Sequence, residues 1–120
     1  MKHHRLLCIL CALAAARAFA APLSGDISAV TFSPSDNPYM VEADIVVPAG
    51  KKVAIPAGCV LLFNGYTGLQ VKGQLIAEGT PDQPVVFTSV HDAEYNPASE
   101  QLPNPFDWNG ILIAHESTGA

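Results

Sequence analysis

Pairs of apolar residues recur at nearly constant intervals between residues 45 and 88. Within each pair one residue separates the two side chains, so on an extended backbone both point to the same face. The first four pairs begin eight residues apart, and the next two follow at six and ten. This is the period of a strand and not of a helix, so it predicts many short strands that feed one interior. The pairs are Ile45/Val47, Val53/Ile55, Leu61/Phe63, Leu69/Val71, Leu75/Ala77 and Val85/Phe87.

Two copies of a Pro-Ala-Gly turn separate the first three pairs. Pro48-Ala49-Gly50 is followed by Pro56-Ala57-Gly58. Proline fixes φ and glycine accepts a positive φ, which is the combination that a type II turn uses. Strands of about three to five residues joined by one such turn are too short for a comfortable hairpin meander. Turning the same way each time predicts a coil instead.

A coil of three strands accounts for the spacing. If Ile45, Val53 and Leu61 begin the three sides, the same sides begin again one layer higher after about 24 residues, a length that solenoid repeats occupy. No single coil can bury its own inner face, so the layers stabilise each other. We therefore predict an all-β fold, a parallel β-helix of about two to three coils. The expected stacked pairs are Ile45 with Leu69, Val47 with Val71, Val53 with Leu75, Ile55 with Ala77, Leu61 with Val85, and Phe63 with Phe87.

The first twenty residues differ from the rest of the chain. Basic side chains within residues 2–5 precede an apolar run over residues 6–16, and Ala18-Phe19-Ala20 has the small-x-small pattern that signal peptidase cuts after. We predict a signal peptide at residues 1–20, cleaved near Ala20/Ala21, and a secreted, cell-surface or periplasmic protein. A membrane anchor is the alternative, but the apolar run is roughly half of the ~20 residues that span a bilayer. We expect no stable membrane insertion after cleavage.

The remaining chain divides into a lead-in and coils. Residues 21–44 are turn-rich, with possible strands at 27–32 and 39–43, and are predicted to cap the first layer. The coils are predicted over residues 45–120, with an acidic, proline-rich inserted loop at 89–108 and inward Ile111 and Ile113 beyond it. No terminal cap is recognisable, which predicts a fragment of a longer protein. The residues expected to cover the first layer are Phe32, Tyr39 and Met40.

Charge limits the partners of the part that follows the leader. Its only basic residues are Lys51, Lys52 and Lys72, whereas all eleven acidic residues of the chain lie there. Nucleic acid and anionic membrane surfaces need many cations, so both are excluded as partners. Lys51-Lys52 is interpreted as a solvated pair at a turn. Cys59 is the single thiol outside the leader and is interpreted as a small apolar filler.

The sequence resembles the opening coils of secreted bacterial right-handed parallel β-helix repeat proteins. The resemblance is carried by IVVPAGKKVAIPAGCVLLF, GLQVKGQLIAEGTPDQPVVFTSV and DWNGILI, which cover most of the chain after the leader. It implies a right-handed β-helix. The proteins that share such coils range from polysaccharide lyases and hydrolases to surface and adhesion proteins, so the fold does not decide the activity.

The resemblance also implies what an enzyme of this kind would need. β-helix lyases use calcium held by aspartates and an arginine as base, and the hydrolases use clustered aspartates. The chain has no arginine after residue 20, and His91 and His115 have no partner by spacing. We therefore predict no catalytic residues in this chain.

The inserted loop contains the candidate site. Its carboxylates are interpreted either as calcium ligands or as solvated loop residues, and its aromatic rings either as a sugar-stacking surface or as packing at a coil edge. No cofactor other than calcium is predicted. The metal candidates are Asp92, Glu94 and Asp107, and the ligand-binding candidates are Tyr95 and Trp108. A weaker ligand pair is His115-Glu116.

These observations favour a non-catalytic scaffold segment of a secreted or cell-surface protein that contacts polysaccharide or other surface components. The alternative is the N-terminal part of a polysaccharide lyase or glycoside hydrolase whose catalytic coils lie outside this sequence. The inward and outward assignments also make a stability prediction. Phe63→Asp is expected to abolish folding, and Leu62→Asp, on the outward set, is expected to be mild.

Overall fold

The structure is a computed structural model that describes residues 21–114, and this part of the chain is all-β. The predicted signal peptide at residues 1–20 and the pair His115-Glu116 lie outside the described residues. The only helix among them is a 3-10 turn over Pro34–Asp36. The strands are β1 (Leu23–Asp26), β2 (Tyr39–Val47), β3 (Lys52–Pro56), β4 (Val60–Phe63), β5 (Gly68–Val71), β6 (Gln74–Glu78), β7 (Val86–Ser89) and β8 (Gly110–Ile113).

Every strand pair between residues 21 and 114 is parallel. Six strands form one curled sheet with the order β7-β4-β2-β5-β8 and with β1 on β2, while β3 and β6 form a second sheet. Strand β2 belongs to two sides at once. Its first half pairs with β4 and its second half pairs with β5. Between the halves the chain bends at three exposed residues, where the Asp44 carboxylate accepts a hydrogen bond from the N–H of Gly68 at 2.9 Å.

The predicted register is confirmed on two of the three sides. Ile45 pairs with Leu69 and Val47 with Val71, so the predicted interval between layers is met here. On the second side β3 pairs with β6 over five residues in the predicted register. The periodicity of the apolar pairs was therefore sufficient to align these strands.

The register of the third side was predicted wrongly by two residues. Leu61 pairs with Phe87, not with Val85, and Phe63 pairs with Ser89. The cause is a turn that closes on itself, because Thr80 and Gln83 exchange backbone hydrogen bonds at 3.0 and 3.1 Å. The carbonyl of Gln83 then accepts from the N–H of Gly58 at 3.1 Å, and the residues that follow lie opposite positions of β4 two residues earlier than the spacing predicted, so that Phe87 faces Leu61 and not Phe63.

The inward residues form one core. Of the apolar pairs along the sequence, the first five, from Ile45/Val47 to Leu75/Ala77, are buried as expected, except that Ala77 is exposed. Ile111 and Ile113 were predicted to face inward, but they are 39% and 52% exposed because β8 is the edge strand of the sheet. Val85 and Phe87 are partly buried against the core. The core consists of Leu23, Ile27, Phe32, Tyr39, Val41, Ile45, Val47, Val53, Ile55, Cys59, Leu61, Phe63, Leu69, Val71 and Leu75.

The lead-in differs from its prediction. Residues 27–32 form no strand, and the first strand lies upstream at β1. β1 nevertheless pairs with β2, so it underlies the first layer. Phe32 and Tyr39 are buried with ring centroids 4.9 Å apart, and Met40 is half-buried.

The Pro-Ala-Gly turns are confirmed. Gly50 has φ 79° and Gly58 has φ 88°, and in each turn the N–H that follows the glycine donates to the carbonyl of the proline. Positive φ at the third residue of a four-residue turn is the type II geometry, which glycine adopts at little cost. The turns therefore change the chain direction where the sequence predicted.

Leu62 faces outward as predicted, but it is not solvated. It is 0% exposed, yet it is not part of the core cluster. Along β4 it alternates with the core residues, so it faces the outer side of the strand. Its register neighbours on that side are Met40 and Thr88, and the Thr88 hydroxyl donates to the Asp92 carboxylate, which brings the following loop over this face.

Candidate functional site

The loop between β7 and β8 is fastened at both ends to the last residues of β7. Near its start, the Thr88 hydroxyl donates to the Asp92 carboxylate at 2.8 Å. Near its end, the Ser89 hydroxyl donates to the Asp107 carboxylate at 3.1 Å. Ser89 is one of the few buried polar residues, so the second contact also satisfies a group that would otherwise be costly to bury. The two aspartates therefore hold the loop against the sheet.

The predicted calcium ligands already have protein partners. The Asp92 carboxylate also accepts from the N–H of Glu94, and the Asp107 carboxylate accepts from the N–H of Asn104. The Glu94 side chain is exposed. Between residues 21 and 114 no three histidine, cysteine, aspartate or glutamate side chains converge into a group that could hold a metal ion. Hydrogen bonds to β7 and to the loop account for the positions of the Asp92 and Asp107 carboxylates. Calcium binding stays a prediction.

The two predicted ligand-binding aromatics have different surroundings. The Trp108 ring stacks on Phe63 with centroids 4.4 Å apart and an interplanar angle of 25°, so one face of the indole is taken by the core. The Tyr95 ring is half-buried and lines a cleft of about 460 Å³. This volume is within the usual range for a small-ligand pocket. The other lining residues are Pro34, Gly58, Val60, Asp82, Gln83, Pro84 and Val86.

Two further aromatic residues are the most exposed large apolar side chains of their loops. Tyr66 was not predicted as a site residue, whereas Phe106 is one of the aromatic residues of the candidate loop but was not among the ligand-binding candidates. Tyr66 is 82% exposed and Phe106 is 88% exposed. Both have left-handed backbone conformations, with φ 63° and 72°. For a non-glycine residue this region costs about 1–2 kcal/mol. The sequence does not predict the strain at Tyr66, because the loop at residues 64–68 contains two glycines and the positive φ falls on neither.

The backbones of these two aromatics are adjacent. The N–H of Tyr66 donates to the carbonyl of Asp107 at 2.9 Å, directly after Phe106. The side-chain amide of Asn109 donates to the carbonyl of Tyr66 at 2.7 Å, and the N–H of Asn109 donates to the carbonyl of Thr67 at 2.7 Å. Three hydrogen bonds thus join segments that lie about forty residues apart in the sequence, and they hold Tyr66 in its strained conformation.

The three lysines of the described residues line one cleft. Lys51 and Lys52 follow the first Pro-Ala-Gly turn, and Lys72 lies at the equivalent corner one layer higher. The cleft has a volume of about 330 Å³. The sequence predicted a solvated pair, and all three side chains are exposed. The sequence did not predict that Lys72 would lie in the same cleft as Lys51 and Lys52.

Histidine and cysteine do not build a nucleophilic site in the described part of the chain. His91 is half-buried and its N–H donates to the Ser89 hydroxyl at 2.9 Å, which is a loop contact. Cys59 is a free, fully buried thiol, as its interpretation as a filler requires. Burial raises the pKa of the Cys59 thiol above its ordinary value of 9.0, and the Asp36 carboxylate acts in the same direction. A raised pKa lowers the thiolate fraction, so it opposes reactivity.

Tyr39 is a second buried group that resists ionisation. Burial raises the pKa of its phenol above the ordinary value of 10.0, and this outweighs the lowering effect of the hydrogen bond to the Ser33 backbone. The phenol accepts from the N–H of Ser33 at 2.8 Å and donates to its carbonyl at 3.2 Å. Only the protonated phenol can make both contacts, which fixes the chain entering β2.

The protein is expected to lose stability in alkaline solution. The pKa values of Cys59 and Tyr39 are higher in the folded than in the unfolded protein. The stability that each group contributes is therefore fully present below its unfolded pKa. It is lost as the pH rises from the unfolded pKa towards the folded pKa. We expect urea midpoints to be constant up to about pH 8 and to fall progressively above it. Cys59→Ala and Tyr39→Phe should each flatten the fall. A midpoint that rises with alkaline pH, or variants with an unchanged slope, would contradict the assignment.

No helix between residues 21 and 114 is long and apolar enough to cross a membrane. No protein-family model matches the chain, and no solved structure matches it. Over 73 residues the chain is 34% identical to Protein bark beetle from Drosophila melanogaster. The aligned stretch is 61% of this chain, and the chain spans about 2% of the length of that curated relative.

Proposed function

We propose that this chain is a non-catalytic scaffold segment of a secreted or cell-surface protein, built as the first coils of a right-handed parallel β-helix. The observation that carries the proposal is the continuity of register from layer to layer. Gly25, Ile45, Leu69 and Ile111 follow one another through four parallel strands. A ladder of this kind extends a stiff stack by adding strands and leaves the connecting loops free to vary.

A scaffold role fits the use that the chain makes of its polar residues. The carboxylates of Asp44, Asp92 and Asp107 all accept hydrogen bonds that position backbone or loop. Within residues 21–114 there is no arginine, and the lysines are gathered in one cleft away from these aspartates. These three carboxylates thus hold backbone and loops in place, which is a structural use of acidic residues.

Secretion is supported by the first twenty residues. They combine basic residues, an apolar run of limited length and a small-x-small site before Ala21. The resemblance to secreted bacterial β-helix repeat proteins is consistent with this export route and with contact to polysaccharide or other surface components. A polysaccharide lyase or hydrolase remains the alternative for a longer protein, with its catalytic residues in further coils.

Export and catalysis can be tested on the same preparation. The full chain is expressed in a secreting bacterial host, and the N-terminus of the exported protein is sequenced. We expect it to begin at Ala21. The purified protein is then incubated with polygalacturonate, alginate and galactomannan, and reducing ends and the ultraviolet absorbance of unsaturated products are measured. We expect no release above that of a buffer control.

The outcomes separate the two candidate functions. A folded, exported protein without turnover agrees with a scaffold segment. Turnover that is lost in Phe63→Asp, in which the core is disrupted, would identify an enzyme and overturn the proposal. A chain that stays in the cytoplasm with its leader intact would contradict the localisation.

A further inference from the structure

We propose that Tyr66 and Phe106 form a binding surface for an uncharged polysaccharide. The surface, called here the aromatic edge, consists of these two residues with Asn104, Asp107 and Asn109. This inference rests on the proposed scaffold role, because a scaffold contacts its ligands through its loops. It adds the binding site and the class of ligand.

The aromatic edge is a product of tertiary structure. Tyr66 belongs to the loop between β4 and β5, and Phe106 belongs to the loop between β7 and β8. The hydrogen bond from the N–H of Tyr66 to the carbonyl of Asp107 brings the two loops together at 2.9 Å. The fold therefore brings together the backbones of two loops that each carry an exposed aromatic side chain.

The exposure of these rings is unusual for this protein. Phe32 and Phe63 are buried, and Phe87 and Trp108 pack against the core. Tyr66 and Phe106, in contrast, are more than four-fifths exposed and have a backbone conformation that disfavours side chains. Glycine would relieve the strain at both positions. The hydrogen bonds of Tyr66 explain how its backbone is held, but they do not require an aromatic side chain there, so an exposed ring at a strained position points to a binding role.

The chemistry around the rings indicates a polyhydroxylated ligand. The apolar face of a sugar ring can pack on an aromatic ring, and its hydroxyl groups can exchange hydrogen bonds with amides and carboxylates. Asn104 and Asn109 are exposed, and both are linked by hydrogen bonds to the residues of the edge. A protein interface would instead centre on a contiguous apolar core, which the amide groups interrupt.

The charge around the aromatic edge favours an uncharged ligand. Asp107 is the charged residue of the aromatic edge, and the three lysines of the described chain line a different cleft. An anionic polysaccharide would meet a carboxylate without a compensating cation. A neutral polymer has no such penalty.

The test is affinity electrophoresis of the full chain in native gels that contain hydroxyethyl cellulose, galactomannan or polygalacturonate. We expect at least one neutral polymer to retard the protein. Tyr66→Gly and Phe106→Gly should each weaken binding about tenfold, the scale of one lost aromatic contact. Both variants should keep or raise the melting temperature, because glycine relieves the positive φ. Loss of binding with a gain of stability cannot result from misfolding.

Matched variants make the result specific. Leu102→Ala removes a side chain of the same loop that is 82% exposed, and should leave retardation unchanged. Tyr66→Phe should keep most of the affinity.

No retardation by either neutral polymer, or retardation of the glycine variants equal to that of the original protein, would overturn the proposal. So would binding to polygalacturonate alone that fades with salt, or concentration-dependent self-association that Phe106→Gly abolishes. The scaffold proposal is tested separately by export and turnover, so either can fail alone.

Discussion

Leu62→Asp is expected to unfold the protein as completely as Phe63→Asp, although the two side chains point to opposite faces of β4. Leu62 and Phe63 are both 0% exposed. The substitution loses about 1.5–3 kcal/mol of apolar burial. It also buries an unpaired carboxylate, at an effective cost of several kcal/mol. Together these approach or exceed the stability of a typical domain, which is about 5–15 kcal/mol.

The measurement is the far-ultraviolet circular dichroism of each variant as a function of urea. The matched control is Leu112→Asp, which changes a leucine that is 63% exposed on β8 and pairs in register with Gln70. Its effect should be within about 0.5 kcal/mol. If Leu62→Asp unfolded at the same urea concentration as Leu112→Asp, the loop after β7 would not cover the outer face of β4.

Gly73→Ala is expected to cost at least about 3 kcal/mol, the upper part of the range for overpacked sites. A Cβ at this position would overlap the backbone carbonyl oxygens of Pro48 and Lys51 in the layer below. Those oxygens accept the hydrogen bonds that close the turn and start β6, so they cannot move aside. The close approach of two layers at this corner therefore requires glycine for steric reasons.

Gly50→Ala is the matched control for Gly73→Ala. Gly50 has φ 79°, but no atom lies within 4 Å of where its Cβ would be. Its cost is the conformational penalty of about 1–2 kcal/mol. The difference between the two variants, measured from urea midpoints, reports the contact between layers. Equal effects would mean that the layers are not in contact at this corner.

The lysine cleft illustrates how stacking changes the meaning of a sequence feature. Lys51-Lys52 alone is an ordinary solvated pair at a turn. Because the chain turns at the same corner again before β6, Lys72 joins the pair, and the three lysines of residues 21–114 are concentrated there. This concentration does not depend on any run of charge in the sequence, so composition could not predict it.

Between residues 45 and 88 the sequence determined where the strands lie and which of their side chains face the interior, with Ala77 as an exposed exception. Alternation with a period of two assigns a side chain to a face irrespective of what lies beside it, so Ile45, Val53 and Phe63 were placed correctly. The two Pro-Ala-Gly turns were equally local, because proline and glycine restrict φ by their own covalent structure. For the pairs β2–β5 and β3–β6, regular spacing then also gave the register between strands.

Only the tertiary structure decided the features that depend on distant segments. The turn closed by Thr80 and Gln83 shifted the third register by two residues, because the path of a loop depends on its own hydrogen bonds and not on strand periodicity. The burial of Leu62 and the stacking of Trp108 on Phe63 depend on where the long loop returns to the sheet. The aromatic edge has the same origin. The alternation of side chains along each strand determined which way a side chain points, and the contacts between distant segments determined which residues it packs against.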